Sequence, residues 1–228
     1  MLDDRPGRLN GDEGFLGEEE LLRLAGLRFE KRRSEWLLGR WTAKRLLQHC
    51  LDGVIAPTRL QIFNDESGQP YVVDDRGERM GGCLSISHRA GRALCAWTPE
   101  PCAKMGADLE LLEPRDPIFI EDYLGTSEKG LALACNGVRR DLFVTLAWSA
   151  KEAVFKALGT GLRMDTRSVE VRGLDWLAKD EGIPQGWLPL EFPSAIVPLP
   201  IQGWWRLDED LIQTIALIGT GFEELVRV

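Results

Sequence analysis

Histidine and paired cysteine are scarce in this chain. There are two histidines in 228 residues, and the five cysteines, at 50, 83, 95, 102 and 135, form no CxxC. That set excludes the usual structural zinc spacings. An odd count of isolated cysteines builds no disulfide framework, so reduced and mostly buried thiols are expected, which fits a cytosolic compartment. Long apolar runs are missing too, and with them any bilayer span. The opening MLDDRPGRLNGDEGF lacks the charged-then-apolar pattern of a secretory signal. A low-complexity block and short tandem repeats are also absent. Positive charge is in deficit: the formal net charge is -8, a bulk field that argues against general nucleic-acid binding. The expectation is a soluble, cytoplasmic protein with neither a membrane nor a nucleic acid among its partners.

What is present is a globular composition, 44% hydrophobic, in a chain long enough for one large domain or two small ones. The charge is uneven. Arg28 to Arg45 holds seven basic residues against Glu30 and Glu35, so this segment is +5 and the remainder is -13. An acidic protein with one basic segment suggests a local anion site. A short helix is predicted over 18–26 and a longer one from about Glu30 to Leu51. On the longer helix Trp36, Ala43, Leu46, Leu47 and Cys50 make one apolar stripe. Arg33, Arg40 and Lys44 border it. From this segment alone a solvated flank is the commoner outcome.

Strands are predicted at RLQIF, PYVV, CLSIS, GRALCAW and KMGADLELL, then at SVEVRG, WWRL and TIALIG. His88 is expected just after a strand. Helical, loop-rich chain is predicted over 116–136 and a long helix over 141–158. The prolines at 184, 189, 193, 198 and 200 mark a loop-rich stretch before the last hairpin. The order of long helix then strands occurs twice. This predicts an α+β pseudo-dimer of two similar lobes, residues 1–104 and 105–228, each a small antiparallel sheet packed on a long helix.

Two local patterns bear on chemistry. Asp108 and Glu110 stand two apart in a strand, so both carboxylates project from one face. Two unpaired acids side by side repel each other, and a bound cation removes that cost. In WSAKEAVFKALGTGL, Glu152 and Lys156 stand four apart on one helix. Alone, that spacing is an ordinary helix ion pair worth about 0.2–0.5 kcal/mol. Gly159 then reads as the glycine that ends the helix.

The ordered set KRRSEWLLGRWTAK, ESGQP, SISHRAG, GADLE and WSAKEAVFKALGTGL resembles the 4′-phosphopantetheinyl transferases, specifically their larger, pseudo-dimeric type typified by the surfactin-synthetase activator. The resemblance spans roughly residues 28–220. It implies magnesium-dependent transfer of the phosphopantetheine arm of coenzyme A to a serine of an apo acyl or peptidyl carrier protein, with adenosine 3′,5′-bisphosphate released. It implies that Asp108, Glu110 and Glu152 ligate magnesium and that Lys156 meets the pyrophosphate oxygens. Glu152 or Glu110 would act as the base. Ser87, His88, Arg33 and Arg40 would hold the 3′-phosphate end of coenzyme A. Lys151 is a lesser candidate for phosphate, and Glu128 matches an acidic position near the site. The active site would lie where the lobes meet, in a monomer. Two positions depart from the family pattern: Gln69 replaces a lysine before the histidine turn, and Ala107 replaces an isoleucine or valine of the acidic strand. Two other readings stand beside the transferase: a non-catalytic coenzyme A or carrier-protein binding module of the same fold, and an acidic metal-dependent phosphohydrolase.

Overall fold

The structure, a computed structural model, describes residues 2–4, 13–101, 103–174, 182–183, 185–193 and 197–219. The fold is α+β, and the chain divides into two compact units between Ala103 and Lys104.

The first unit holds α1 (Glu18–Ala25), α2 (Glu30–Cys50) and five strands: β1 (Leu2–Asp4), β2 (Gln61–Asn64), β3 (Pro70–Val73), β4 (Cys83–Arg89) and β5 (Arg92–Thr98). β2 and β3 form an antiparallel hairpin, and β1-β5-β4 form a three-stranded antiparallel sheet. The turn between β2 and β3 is made by Asp65, whose Oδ1 accepts from the amides of Ser67 and Gln69. The predicted stripe of α2 is observed in part. Ala43, Leu46 and Leu47 pack with Leu60, Ile62, Val72, Leu84 and Cys95, and Cys50 packs at the margin. Trp36 instead joins a second cluster with Phe15, Leu16 and Leu24.

The second unit holds β6 (Lys104–Leu111), α3 (Pro117–Tyr123), α4 (Thr126–Ala134), α5 (Val138–Leu158), β7 (Leu188–Glu191), β8 (Ile201–Asp208) and β9 (Leu211–Ile218). The strands form one antiparallel sheet in the order β6-β9-β8-β7. Helix α5 packs on β6 and β9. It ends at Gly159, whose φ of 68° is the left-handed conformation expected of a terminating glycine.

Each unit contains the same buried device. In the first, Lys44 on α2 pairs with Glu20 on α1, and both side chains are 1% exposed. Lys44 Nζ also donates to the carbonyls of Phe15 and Pro57 at 2.9 Å. Glu20 accepts from the amides of Gly17 and Ile62. In the second, Lys151 on α5 pairs with Glu128 on α4 at 2.7 Å with both side chains 0% exposed. Lys151 Nζ donates to the carbonyls of Thr166 and Val169, and Glu128 accepts from the amides of Gly125 and Val171. A buried charge is tolerated where a partner and hydrogen bonds replace its water, and here each lysine ties three chain segments together.

That device accounts for one departure from the sequence reading. SVEVRG is not a strand: 166–168 form a 3₁₀ turn, and the pairing is a single bridge from Arg172 to Glu191. The backbone groups of Thr166, Val169 and Val171 are engaged by Lys151 and Glu128 instead of by a neighbouring strand. Lys151 and Glu128 are therefore structural, and neither faces a phosphate. Lys44 is likewise buried and not part of a solvated flank. A second departure is β7, which contains Pro189 within the stretch read as loop. It lies at the edge of its sheet, where a strand tolerates a residue without an amide hydrogen. A third is β4, which continues through His88 and Arg89. A fourth is α5, which begins at Val138, three residues before the predicted start.

Cys50, Cys83, Cys95 and Cys135 form no disulfide among the described residues, and Cys102 lies outside them. Burial pushes the Cys50 and Cys135 thiols up, away from the reactive thiolate. Among the described residues no helix is long and apolar enough to cross a membrane.

Candidate active site

The acidic residues of β6 and the polar stripe of α5 meet because Gly106 has no side chain. A Cβ placed there would stand 1.9 Å from the carbonyl oxygen of Ala153 and 2.7 Å from the amide of Ala157. Helix α5 thus lies directly on β6, with alanines facing glycine. Residues one turn to either side of Ala153 are brought over the strand.

Lys156 Nζ reaches Asp108 Oδ1 at 2.6 Å and the carbonyl oxygen of Ala107 at 3.2 Å. The other oxygen of Asp108 accepts from Ser149 Oγ at 2.7 Å. Ser149 is also 2.9 Å from the hydroxyl of Thr214, the residue paired with Asp108 across β9. Glu110 is held at both oxygens. Trp148 Nε1 donates to Oε1 at 3.0 Å, and Arg115 donates to Oε2 at 3.0 Å. Trp148 in turn packs edge-on against Phe119 and Tyr123, with ring centroids 5.1 and 4.9 Å away. Each polar member of WSAKE therefore has a distinct task. Trp148 orients Glu110, Ser149 orients Asp108, Lys151 locks the helix to α4, and Glu152 is left for the site.

Among the described residues Glu152 has no hydrogen-bonding partner. Burial pushes its carboxyl above the usual range, and the charge of Asp108 pushes the same way. Lys156 pulls it back, and Glu110 adds a further upward push. A half-buried carboxylate in the field of two others is a proton acceptor stronger than an exposed one. The sequence placed Asp108, Glu110, Glu152 and Lys156 in one site, and the second unit brings all four together.

The three carboxylates offer hard oxygen donors, and their mutual field would be relieved by a divalent cation, so the residue types fit magnesium. In the geometry present, no group of three or more His, Cys, Asp or Glu among the described residues is arranged to hold a metal ion. In that geometry Lys156 and Arg115 each hold one oxygen, of Asp108 and of Glu110 respectively.

In the first unit, His88 and Arg40 line one pocket of about 200 Å³ with Glu35, Trp36, Gly39, Asn64, Gly68, Pro70 and Ile86. His88 Nδ1 stands 3.9 Å from Glu35 Oε2. Arg40 is 6% exposed, donates to Asn64 Oδ1 at 3.0 Å and lies over the Trp36 ring at 5.0 Å. Its Nε is buried, makes no hydrogen bond among the described residues and faces Glu20 Oε1 at 3.9 Å.

Ser87 and Arg33 are placed elsewhere. Successive strand residues point to opposite faces, so Ser87, buried beside His88, is turned away from that pocket. Arg33 binds Glu13 Oε1 at 2.6 Å and the carbonyl of Leu24 at 3.2 Å, fastening the segment before α2. Lys31 and Arg32, not singled out in the sequence, also lie near His88. They share a second opening with Phe29, Glu35, Trp36 and His88. They belong to the same basic run, and helical position alone did not separate them from Arg33.

Residues 104–193 match the profile of the 4′-phosphopantetheinyl transferase superfamily. This is the unit that carries Asp108, Glu110, Glu152 and Lys156. A Synechocystis protein provisionally named a 4′-phosphopantetheinyl transferase is 26% identical over 162 residues, which is 70% of this chain. The match spans 63% of that relative's length. Among solved structures, the holo-[acyl-carrier-protein] synthase of Thermotoga maritima is 27% identical with a TM-score of 0.39, over 52% of this chain and 64% of the other. A holo-(acyl-carrier-protein) synthase of Bacillus anthracis, in complex with CoA (3′,5′-ADP), is 23% identical with a TM-score of 0.40, over 52% of this chain and 96% of the other.

Proposed function

We propose, from the match of residues 104–193 to the 4′-phosphopantetheinyl transferase superfamily, that this chain transfers the 4′-phosphopantetheine of coenzyme A to a serine of an apo acyl or peptidyl carrier protein. Adenosine 3′,5′-bisphosphate is the second product. The observation that carries the reading is the convergence of Asp108, Glu110, Glu152 and Lys156 where α5 crosses Gly106.

In the transfer, the carrier serine oxygen attacks the phosphorus bearing the pantetheine arm. A new serine O–P bond forms, and the P–O bond to adenosine 3′,5′-bisphosphate breaks. The serine proton passes to Glu152, whose raised proton affinity and unengaged oxygens suit a base; Glu110 is tied at both oxygens and suits the role less. Lys156 places positive charge beside the leaving oxygen, on which negative charge accumulates as the bond breaks. Asp108, Glu110 and Glu152 would hold magnesium, which when bound supplies charge neutralisation at the pyrophosphate oxygens. Asp108 keeps Lys156 in place, and Ser149 keeps Asp108 in place, so orientation is set before substrate arrives.

His88 and Arg40 would receive the 3′-phosphate of coenzyme A. The buried guanidinium of Arg40, at the wall of the pocket that His88 also lines, supports this reading. Ser87 and Arg33 would support that end only indirectly. The pseudo-dimeric arrangement of the two lobes, with the boundary read at residues 104/105, a monomeric state and a cytoplasmic location belong to the same proposal.

The test is intact-protein mass spectrometry of an apo carrier protein incubated with this protein, coenzyme A and magnesium. A mass gain of one phosphopantetheine, absent without magnesium, supports the transferase. Coenzyme A binding with no gain on acyl, peptidyl or polyketide carriers would replace it with a binding module, and release of inorganic phosphate from nucleotides with a phosphohydrolase.

A further inference from the structure

Arg115 lies outside every motif that carries the family resemblance, yet it forms an ion pair with Glu110. It donates to Glu110 Oε2 at 3.0 Å, its other terminal nitrogen is 3.4 Å from Glu113 Oε1, and its guanidinium lies 5.2 Å from the Phe119 ring centroid. Its side chain is 16% exposed. A planar guanidinium held between a carboxylate and an aromatic face is fixed in position and cannot lose its proton. Three carboxylates of the site are thus offset by two internal cations, Lys156 on Asp108 and Arg115 on Glu110. Lys156 is a flexible ammonium on a four-carbon stem. Arg115 is clamped, and the oxygen that it occupies is one a divalent cation would need.

We propose that Arg115 is a positioning residue that sets the affinity of the acidic site for divalent cations, by holding Glu110 in one orientation and opposing a second positive charge beside it. The inference rests on the metal site of the proposed function. Its two actions have opposite signs. Trp148 still donates to Glu110 when Arg115 is removed, so orientation is kept and the loss of repulsion dominates. A guanidinium one hydrogen bond from a ligand oxygen repels a divalent ion appreciably even at high effective dielectric, and its removal should tighten cation binding about tenfold.

The experiment is calorimetric titration of the whole purified protein with magnesium chloride, repeated with manganese, without coenzyme A or carrier. Arg115→Gln is expected to lower the magnesium Kd about tenfold, Arg115→Lys to keep it within about threefold of the parent, and Trp148→Phe, which removes only an orienting donor, to raise it. Arg115→Met, which retains packing on Phe119, replaces the glutamine variant if that variant does not fold. A parent protein that binds magnesium, with an unchanged or weakened Kd in Arg115→Gln, overturns the role of Arg115 and leaves the metal site standing. A parent protein that binds neither cation overturns both.

Discussion

The α carbon of Gly106 lies so close to Ala153 that a Cβ would stand 1.9 Å from the carbonyl oxygen of Ala153. This is contact with helix backbone, which cannot rotate away as a side chain can. Every contact between β6 and α5 in the site depends on that approach. Gly106→Ala is expected to destabilise the protein by about 3 kcal/mol or more and to separate Lys156 from Asp108. Urea unfolding measures the first effect. The second predicts a fall in transfer activity under conditions where the variant is still folded.

Glu152→Gln should lower transfer by about 10²- to 10⁴-fold, the usual contribution of a positioned base, without unfolding the protein. Activity near that of the parent in a mass-spectrometric time course would remove Glu152 from the mechanism.

The same substitution has a pH signature. The folded-state carboxyl of Glu152 is held above its ordinary value of 4.5 by burial first and by Asp108 next. Between those two values the native state binds more protons than the unfolded state. Its stabilising contribution is therefore complete below the ordinary value and is lost as pH rises through the folded one. In metal-free buffer, Glu152→Gln should melt higher than the parent at neutral pH, with the gap closing toward pH 4.5 and below. Thermal melts across this range, with chelator present, check it.

Breaking the buried pair in the second unit should be costly. Lys151→Met leaves Glu128 charged at 0% exposure, and a loss of about 3 to 5 kcal/mol is expected. Coenzyme A affinity per folded molecule should not change, because Lys151 points at Thr166 and Val169 and not at a ligand.

If His88 receives the 3′-phosphate as proposed, His88→Ala should raise the KM for coenzyme A about tenfold or more, the size of a lost charge-assisted hydrogen bond, with kcat changed far less. Ser87→Ala should leave that KM unchanged, because the strand turns Ser87 from the pocket. Steady-state kinetics on both variants separates the two neighbours.

The sequence by itself determined the two long helices and most of the strands that flank them, and its resemblance to a family singled out Asp108, Glu110, Glu152 and Lys156. Those signals are local: a 3.6-residue stripe, a two-residue alternation on β6, and a motif on one helical face. Tertiary structure decided which charged residues are available. Lys151 and Lys156 are five apart on one helix, yet one lies under the α4 cap and the other over Asp108. Lys44 and Glu20, 24 residues apart, are invisible as a pair until α1 folds against α2. Gly-x-x-Glu at Gly17–Glu20 and again at Gly125–Glu128 was the one sequence trace of that device, since the glutamate caps the glycine amide in both. SVEVRG has a strand's composition but lost its ladder to a buried ammonium, which no local pattern reports. Arg115 lies in an unremarkable loop, and only the placement of Glu110, Glu113 and Phe119 around it gives it a role. Periodicity is written along the chain; the partner of a buried charge is set by long-range packing, because desolvation makes the charge accept whichever opposite group the fold delivers.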